Sequence, residues 1–337
     1  MTSLKISIII PAYNCEKGIG RTLQAAITAA NVYRSDAGVE DKERYVEIIA
    51  VDDGSTDRTK DEITKFPTVK YFSQQNAGPA AARNFGVQEA RGDILFFTDA
   101  DCLVHSDWLV LMMPHFEKPN VAVVAGSYGI ANPESRLSRC IYREIIYRHM
   151  MLMPEFPSYF GSFNFAIQRE VFQKVGGFNV AYRNASGEDN DLSYKVSSRG
   201  YKIYFAKDAL VDHFHPQVLK EYLDQQFRHG YWRVQMYRDH PRMVKGDGYT
   251  FWKDSAEVGL VLLFYFSFVA IFLSFFAIGA WILALSVCAL LGINIYFGIK
   301  INGDWKDGFY FSDVMILRAF SRTNGFLSGT KIFLVKK

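Results

Sequence analysis

The chain has 337 residues, 49% hydrophobic and 22% charged, enough to bury one large core or two smaller ones. A formal net charge of only +3 supplies no global basic field, which argues against nucleic acid as a partner. The four cysteines, Cys15, Cys102, Cys140 and Cys288, form no CxxC pair and no dense secreted-type pattern, so a reducing compartment is expected for the soluble part.

In chain order, one lysine precedes a short apolar stretch broken by Pro11, which is not a signal-peptide pattern; residues 5–10 read as a first strand. Ile19, Leu23, Ala26, Ile27 and Ala30 follow at helical spacing. Residues 47–51 read as a second strand, and Ser55-Thr56-Asp57 offers a cap for a helix over 58–65. After a short strand at 69–72, Pro79 at a first helical position starts a helix over 80–90 that Gly92 ends. Residues 94–98 form the fourth strand. This alternation predicts an α/β fold on a parallel sheet with right-handed crossovers.

Beyond an apolar run at 121–125 the pattern loosens. Residues 136–153 set Leu137, Ile141, Ile145 and Ile146 against Arg136, Arg139, Arg143 and Arg148, a basic amphipathic helix suited to an anionic membrane surface or to solvated packing on the sheet. A strand-like Ala209-Leu210-Val211 precedes His213. Residues 233–257, mixed in charge with Gly246 and Gly248, read as a juxtamembrane connection.

Residues 258–299 carry no charge, between Glu257 and Lys300. As one helix at about 1.5 Å per residue the run would measure about 63 Å, twice a hydrocarbon core of about 30 Å, so two transmembrane helices are expected, turning near residues 277–280. Basic residues flank both ends (Arg238, Arg242, Lys245 and Lys253 before; Lys300, Lys306, Arg318, Arg322, Lys331, Lys336 and Lys337 after) and none lies in the turn. The positive-inside rule then places both flanks and the N-terminal domain in the cytoplasm. In the tail, residues 300–337, Ser312 is positioned to cap an amphipathic helix through Arg322, with Arg318 and Arg322 one turn apart for interfacial packing.

Three acid clusters recur at the ends of apolar runs or beside a glycine: Asp52-Asp53, Asp99-Ala100-Asp101 and Glu188-Asp189-Asn190-Asp191. In α/β sheets, ligands bind at the carboxyl ends of strands. Two carboxylates one residue apart can hold a hard divalent cation through oxygen, with waters and a phosphate completing its shell.

Together with Ile8-Ile9-Ile10-Pro11-Ala12-Tyr13-Asn14, Asp52-Asp53-Gly54-Ser55-Thr56-Asp57, Asn76-Ala77-Gly78-Pro79-Ala80-Ala81-Ala82-Arg83-Asn84, Val175-Gly176-Gly177-Phe178 and Gly187-Glu188-Asp189-Asn190-Asp191-Leu192, these clusters make residues 1–232 resemble family-2 glycosyltransferases with the GT-A fold. The resemblance implies a Rossmann-like mixed sheet flanked by helices, followed by a C-terminal transmembrane hairpin of the membrane-anchored bacterial type. It also implies roles. Pro11, Ala12 and Tyr13 form a wall for the nucleobase, Asp53 accepts a hydrogen bond from it, and Arg83 lies on the nucleotide side. Asp99 reaches the ribose or the metal, and Asp101 ligates Mg²⁺ or Mn²⁺. His213 lies near the diphosphate or is a third metal ligand, with His215 competing. Asp189 is the catalytic base, with Glu188 and Asp191 as substitutes or acceptor contacts. Asn164, Gln225 and Arg228 fall on the acceptor or diphosphate side, and His229 stands where the family's Q-x-x-R-W signature has Trp.

The function this resemblance implies is an inverting, metal-dependent transfer of one sugar from a nucleotide-diphospho-sugar, UDP-linked in most relatives, to a lipid-linked or cell-surface glycan acceptor. It would take place at the cytoplasmic face of the inner membrane. A polyisoprenyl-phosphate glycosyltransferase, with residues 136–148 as a basic pocket, and a catalytically silent nucleotide-sugar-binding scaffold are the alternatives.

Overall fold

The computed structural model describes residues 4–36, 44–183, 187–245, 251–273 and 275–335. Gly246, Gly248, Lys336 and Lys337 lie outside them. The chain forms two compact units, Met1–Ala131 with Met153–Phe214 and Asn132–Leu152 with His215–Lys337.

The elements of the first unit run β1 (Ile6–Ala12), α1 (Ile19–Ser35), β2 (Val46–Asp52), α2 (Thr59–Thr64), β3 (Val69–Ser73), α3 (Pro79–Glu89), β4 (Ile94–Phe97), β5 (Cys102–Val104), α4 (Trp108–Met112) and β6 (Val121–Ile130). After α5 (Arg136–Met151), which belongs to the second unit, come β7 (Phe165–Gln168), α6 (Arg169–Val175), α7 (Glu188–Ser198) and β8 (Lys202–His213). They build one eight-stranded sheet of order β3-β2-β1-β4-β7-β6-β8-β5.

Strands β1 to β4 are mutually parallel where they pair, as the alternation predicts. The rest of the sheet departs from the all-parallel expectation: β7 runs antiparallel to β4 and β6, and β5 antiparallel to β8. The sheet is therefore mixed, as the family resemblance implies. Strands β2 and β4 are buried throughout, which explains their continuous apolar runs in place of alternation. Register sets Ala12 beside Asp52 and Ile9 beside Phe97, so the acids that follow these strands finish along one sheet edge.

Several boundaries shift. Helix α2 is capped at Arg58, while the Asp57 carboxylate before it accepts from Thr59 N–H at 3.0 Å. Helix α3 ends in extended Ala90, ahead of Gly92. Strand β8 is far longer than its apolar signal: Lys202 pairs with Val121, and Lys207 and Asp208 fall in a register shift between Ala206 and Leu210, after which the pairing with β6 resumes.

The second unit comprises α5, α8 (Leu219–Asp239), α9 (Trp252–Phe272), α10 (Phe276–Asn302) and α11 (Trp305–Thr330). Its core joins Leu137, Cys140 and Ile141 of α5 to Tyr222 of α8 and to Phe311 and Met315 of α11. Helices α5 and α8 thus belong to the second unit.

Helices α9 and α10 are long and apolar enough to cross a membrane; α9 ends at Phe272 and α10 starts at Phe276, ahead of the turn expected at 277–280. Gly279 serves helix contact: a Cβ there would lie 2.6 Å from Ile271 Cγ1 and 2.9 Å from the Ser267 carbonyl oxygen. Helix α11 starts much earlier than the expected cap at Ser312. Asp304 caps it, accepting from Asp307 N–H at 3.0 Å, whereas buried Ser312 bonds to the Gly308 carbonyl of the preceding turn at 2.7 Å. Arg318 is buried too, paired with Glu144 at 2.5 Å and Glu257 at 3.5 Å, so the tail is not a free interfacial stripe.

Most of the basic face of α5 is likewise paired, while Arg139 donates to the Pro133 carbonyl at 2.7 Å. Arg136 and Arg143 pair with Asp307 at 2.8 and 2.9 Å, and Arg148 pairs with Glu144 and Asp254 at 2.7 Å each.

Candidate active site

The rim of the site grows from the ends of β1 and β2. Asp53 N–H donates to the Ala12 carbonyl at 2.8 Å, Asn14 N–H to Ser55 Oγ at 2.9 Å, and Thr56 N–H to Asn14 Oδ1 at 2.8 Å. These bonds lace the two loops together. They leave Tyr13 exposed by 52% on the rim, beside half-buried Pro11 and buried Ala12. The aromatic face expected of Tyr13 is therefore available to a ligand.

Asp53 is buried, and its carboxylate organises the next loop. Oδ1 accepts from Gln74 Nε2 at 2.6 Å and Ala77 N–H at 2.9 Å, and Oδ2 from Gly78 N–H at 2.9 Å. A carboxylate accepts about four hydrogen bonds, so one acceptor position on Oδ2 remains for a ligand. Gly78 opens α3 at φ +92°, and a Cβ there would fall 2.4 Å from the Arg183 carbonyl oxygen. Conformation and close approach thus both require glycine.

Helix α3 then delivers Arg83 into the centre of the site. Its guanidinium is buried and bridges two acids, Asp99 Oδ1 at 2.6 Å and Glu188 Oε1 at 3.0 Å. Burial alone would lower the Arg83 pKa, but the two carboxylates more than reverse this and hold it above the ordinary arginine value. The fixed cation expected at Arg83 is present, engaged with the chain's own acids. The expected substitute base, Glu188, is one of them.

Asp189 follows Glu188 in the first turn of α7, where the helix dipole favours negative charge. Its Oδ1 accepts from Asn190 N–H at 2.8 Å, and Oδ2 lies 3.5 Å from where a Cβ on Gly161 would stand. Burial is the main cause that raises the Asp189 pKa, with Asp99 adding repulsion against the opposing pull of Asn190 N–H and Arg83. Glu188 is raised first by burial and then by Asp189 itself. In the role expected of Asp189, a general base, the carboxylate must be deprotonated to work. The acid limb of the turnover profile is therefore expected above the ordinary aspartate pKa of about 3.9, and a limb at that value would contradict this setting of Asp189.

Asp101 lies beyond Asp99 on a turn into β5. Phe214 N–H donates to its carbonyl at 3.3 Å, and Thr22 Oγ1 donates to the Ala100 carbonyl at 2.8 Å, fixing the loop against α1 and the end of β8. Thr22 escapes motif reading, since it is one more residue inside a helical run. Asp101 Oδ2 stands 3.5 Å from His213 Nε2, brought together by the Cys102–His213 register of β5 and β8.

With Cys102 Sγ these form a cluster of ligand-type atoms, all within 4.8 Å of one another. Burial, then the charges of Asp101 and Asp99, hold the Cys102 thiol well above its ordinary pKa, and a soft sulfur ligand suits Mg²⁺ or Mn²⁺ less well than oxygen or imidazole. Around a small divalent ion, neighbouring ligand atoms lie about 3.0 Å apart and opposite ones about 4.2 Å. The Asp101–His213 spacing lies between these, and Asp101 is 56% exposed, which leaves room for waters and phosphate oxygens. The pair fits a Mg²⁺ or Mn²⁺ ion. Asp99 is turned to Arg83 and is absent from the cluster, and His215, in the second unit, is bonded through its backbone to Asn132.

Two expected residues are placed elsewhere. Asn164 is fully buried, donating to the Ser127 and Ala209 carbonyls at 2.9 Å each and accepting from Trp108 Nε1 at 2.8 Å, so it braces the sheet instead of facing an acceptor. Asp191 is buried against Lys195 at 2.6 Å on another face of α7. Gln225 and Arg228 lie on α8, where the neighbouring Gln226 is buried and accepts from Arg322 at 2.5 Å.

Residues 7–176 match the family model for glycosyl transferase family 2, and residues 94–298 match glycosyl transferase family group 2. The probable glycosyltransferase YdaM of Bacillus subtilis is 29% identical over 322 residues, 88% of this chain and 68% of that one. The glycosyltransferase AglE of Haloferax volcanii is 27% identical over 237 residues, 69% of this chain and 74% of that one. Among solved structures, the mannosyltransferase PcManGT from Pyrobaculum calidifontis, in complex with GDP-Man and Mn²⁺, is similar in fold. Its TM-score is 0.56 at 19% identity, with 100% of this chain and 89% of that one covered. The GT-A architecture expected from the motifs is thereby borne out. With its ordered motifs, its mixed sheet and these matches, the chain belongs to glycosyl transferase family 2, and it is a glycosyltransferase enzyme that uses a nucleotide-sugar donor.

Proposed function

We propose that this enzyme is an inverting, metal-dependent glycosyltransferase that moves one sugar from a nucleotide-diphospho-sugar, with a UDP-sugar the favoured donor, to a lipid-linked or cell-surface glycan acceptor. The observation that carries the reading is one connected cluster at the sheet edge. Arg83 joins Asp99 to Glu188, Glu188 precedes Asp189, and the Asp101–His213 pair follows Asp99.

In this reading the nucleobase rests on Pro11, Ala12 and Tyr13 and donates to the free acceptor position of Asp53. Asp101 and His213 hold Mg²⁺ or Mn²⁺, which offsets the charge gathering on the departing diphosphate. Asp189 accepts the proton of the acceptor hydroxyl as its oxygen attacks the anomeric carbon. The bond to the nucleoside diphosphate breaks on the opposite face and the diphosphate leaves with the electron pair, so the configuration inverts without a covalent enzyme intermediate. Arg83 and Glu188 position Asp99 and the start of α7. Gln225 and Arg228, three residues apart on one face of α8, are proposed for the acceptor side.

The apolar hairpin supports membrane attachment, and the basic flanks favour the cytoplasmic face of the inner membrane, where anchoring raises the effective concentration of a lipid-linked acceptor. A lipid-phosphate acceptor gains no support from α5, since Arg136, Arg143 and Arg148 are already paired with carboxylates. The scaffold alternative has no need of the retained Asp101 and Asp189.

Asp101→Ala is expected to abolish the Mn²⁺-dependent part of donor binding while leaving metal-free nucleotide binding unchanged. Calorimetric titration with and without EDTA reads both. Unaltered metal dependence in the variant would remove Asp101 from the proposed ligand set.

A further inference from the structure

The α9–α10 hairpin is charged only at its base, where antiparallel pairing is fixed by buried Lys253, whose Nζ donates to Asn294 Oδ1 at 3.0 Å and also binds Glu257. Exposed Trp252 (59%), Tyr296 (57%) and Trp305 (62%) surround that base, and Lys300 Nζ stands 3.5 Å from Tyr296 Oη. Aromatic rings with a cation among them mark a membrane–water interface.

The other end has no such features. Phe272, Leu273, Phe275, Phe276 and Ile278 are each more than half exposed, and no charged residue occurs from 258 to 299. Three described backbone N–H groups beside the turn pair within the hairpin: Leu273 N–H donates to Val269 O, Phe275 N–H to Ala270 O and Gly279 N–H to Phe275 O, at 2.9 to 3.0 Å. Pairing of this kind lowers the cost of placing backbone at hydrocarbon depth.

Length decides how deep this end reaches. The helical rise from Tyr296 to Phe276 is about 30 Å, and from Asn294, level with Lys253, about 27 Å. An interfacial aromatic belt sits at headgroup level, outside a hydrocarbon core of about 30 Å in a bilayer about 40–45 Å thick. An ordinary tilt of about 20° shortens the reach to about 28 Å.

We infer that the hairpin enters the bilayer from one side and ends in the acyl layer of the far leaflet without emerging, so that every charged residue of the chain stays on the side of entry. This rests on the membrane-anchor reading above and replaces the two complete spans expected from the apolar run.

The test places a cysteine at Phe275→Cys, and separately one at Ile278→Cys. Expressing cells supply right-side-out and inverted vesicles, which are treated with a membrane-impermeant maleimide, and the labelled peptide is read by mass spectrometry. The inference expects the protein to remain in the pellet after carbonate washing and both cysteines to react only after detergent, with at least a tenfold rise in labelling. Labelling of the retained protein without detergent, from either face, overturns the embedded tip and leaves the anchor intact. Release into the carbonate supernatant overturns the anchor and the inference with it.

Discussion

Asp189→Asn is expected to bind the nucleotide sugar as wild type does and to lower turnover by about 10²–10⁴-fold, the range a positioned general base contributes. Asn fits the same space at the start of α7 and can still accept from Asn190 N–H through its oxygen, so the geometry set by Arg83, Glu188 and Gly161 should persist. What it cannot do is take up the proton of a sugar hydroxyl. Donor affinity by titration and kcat by nucleoside diphosphate release separate the two effects. Turnover near the wild-type rate would remove Asp189 as the base. Glu188 is poorly placed to replace it, since its carboxylate already receives Arg83.

Arg83→Met should produce the largest loss of stability of any single change at the site. The arginine lies between Asp99 and Glu188, and Glu188 is buried almost completely. Removing the cation strands a buried carboxylate beside Asp189, and breaking a buried pair from one side costs about 3–5 kcal/mol. Arg83→Lys keeps the charge but not the two-pronged reach, so it should fall between Met and wild type. Thermal unfolding in detergent measures both. A loss below about 1 kcal/mol for Met would mean that the two acids do not depend on Arg83.

The acid-ended strands were legible because each signal is local: a buried run stops and a carboxylate follows. Asp53 and Asp101 stand just past such boundaries, and Asp189 was marked by the acid cluster after Gly187. Relations across the chain were not legible in that way. Arg83 meets Glu188 from far along the sequence, and Thr22 holds Ala100 from inside an ordinary helix. Asn164 and Asp191 carry the residue types of a site, yet their partners Trp108 and Lys195 give them packing roles.

Composition misled where charge was read as surface. Arg136, Arg143 and Arg148 of α5 and Arg318 of α11 look like membrane-facing cations, but Asp307, Asp254 and Glu144 neutralise them. The reversed direction of β7 left no mark in its own apolar run; the match to the family motifs, not the alternation of elements, pointed to a mixed sheet.

The central claim is metal-dependent sugar transfer to a membrane-derived acceptor. Its most direct test is nucleoside diphosphate release from a panel of UDP- and GDP-sugars, with purified enzyme in detergent, Mn²⁺ and lipid extract, each omitted in turn. The account predicts release with one donor class that requires both metal and extract and deposits the sugar in the lipid or glycan fraction. Tight donor binding with no release under any combination, in an extract that supports a related transferase, would contradict it.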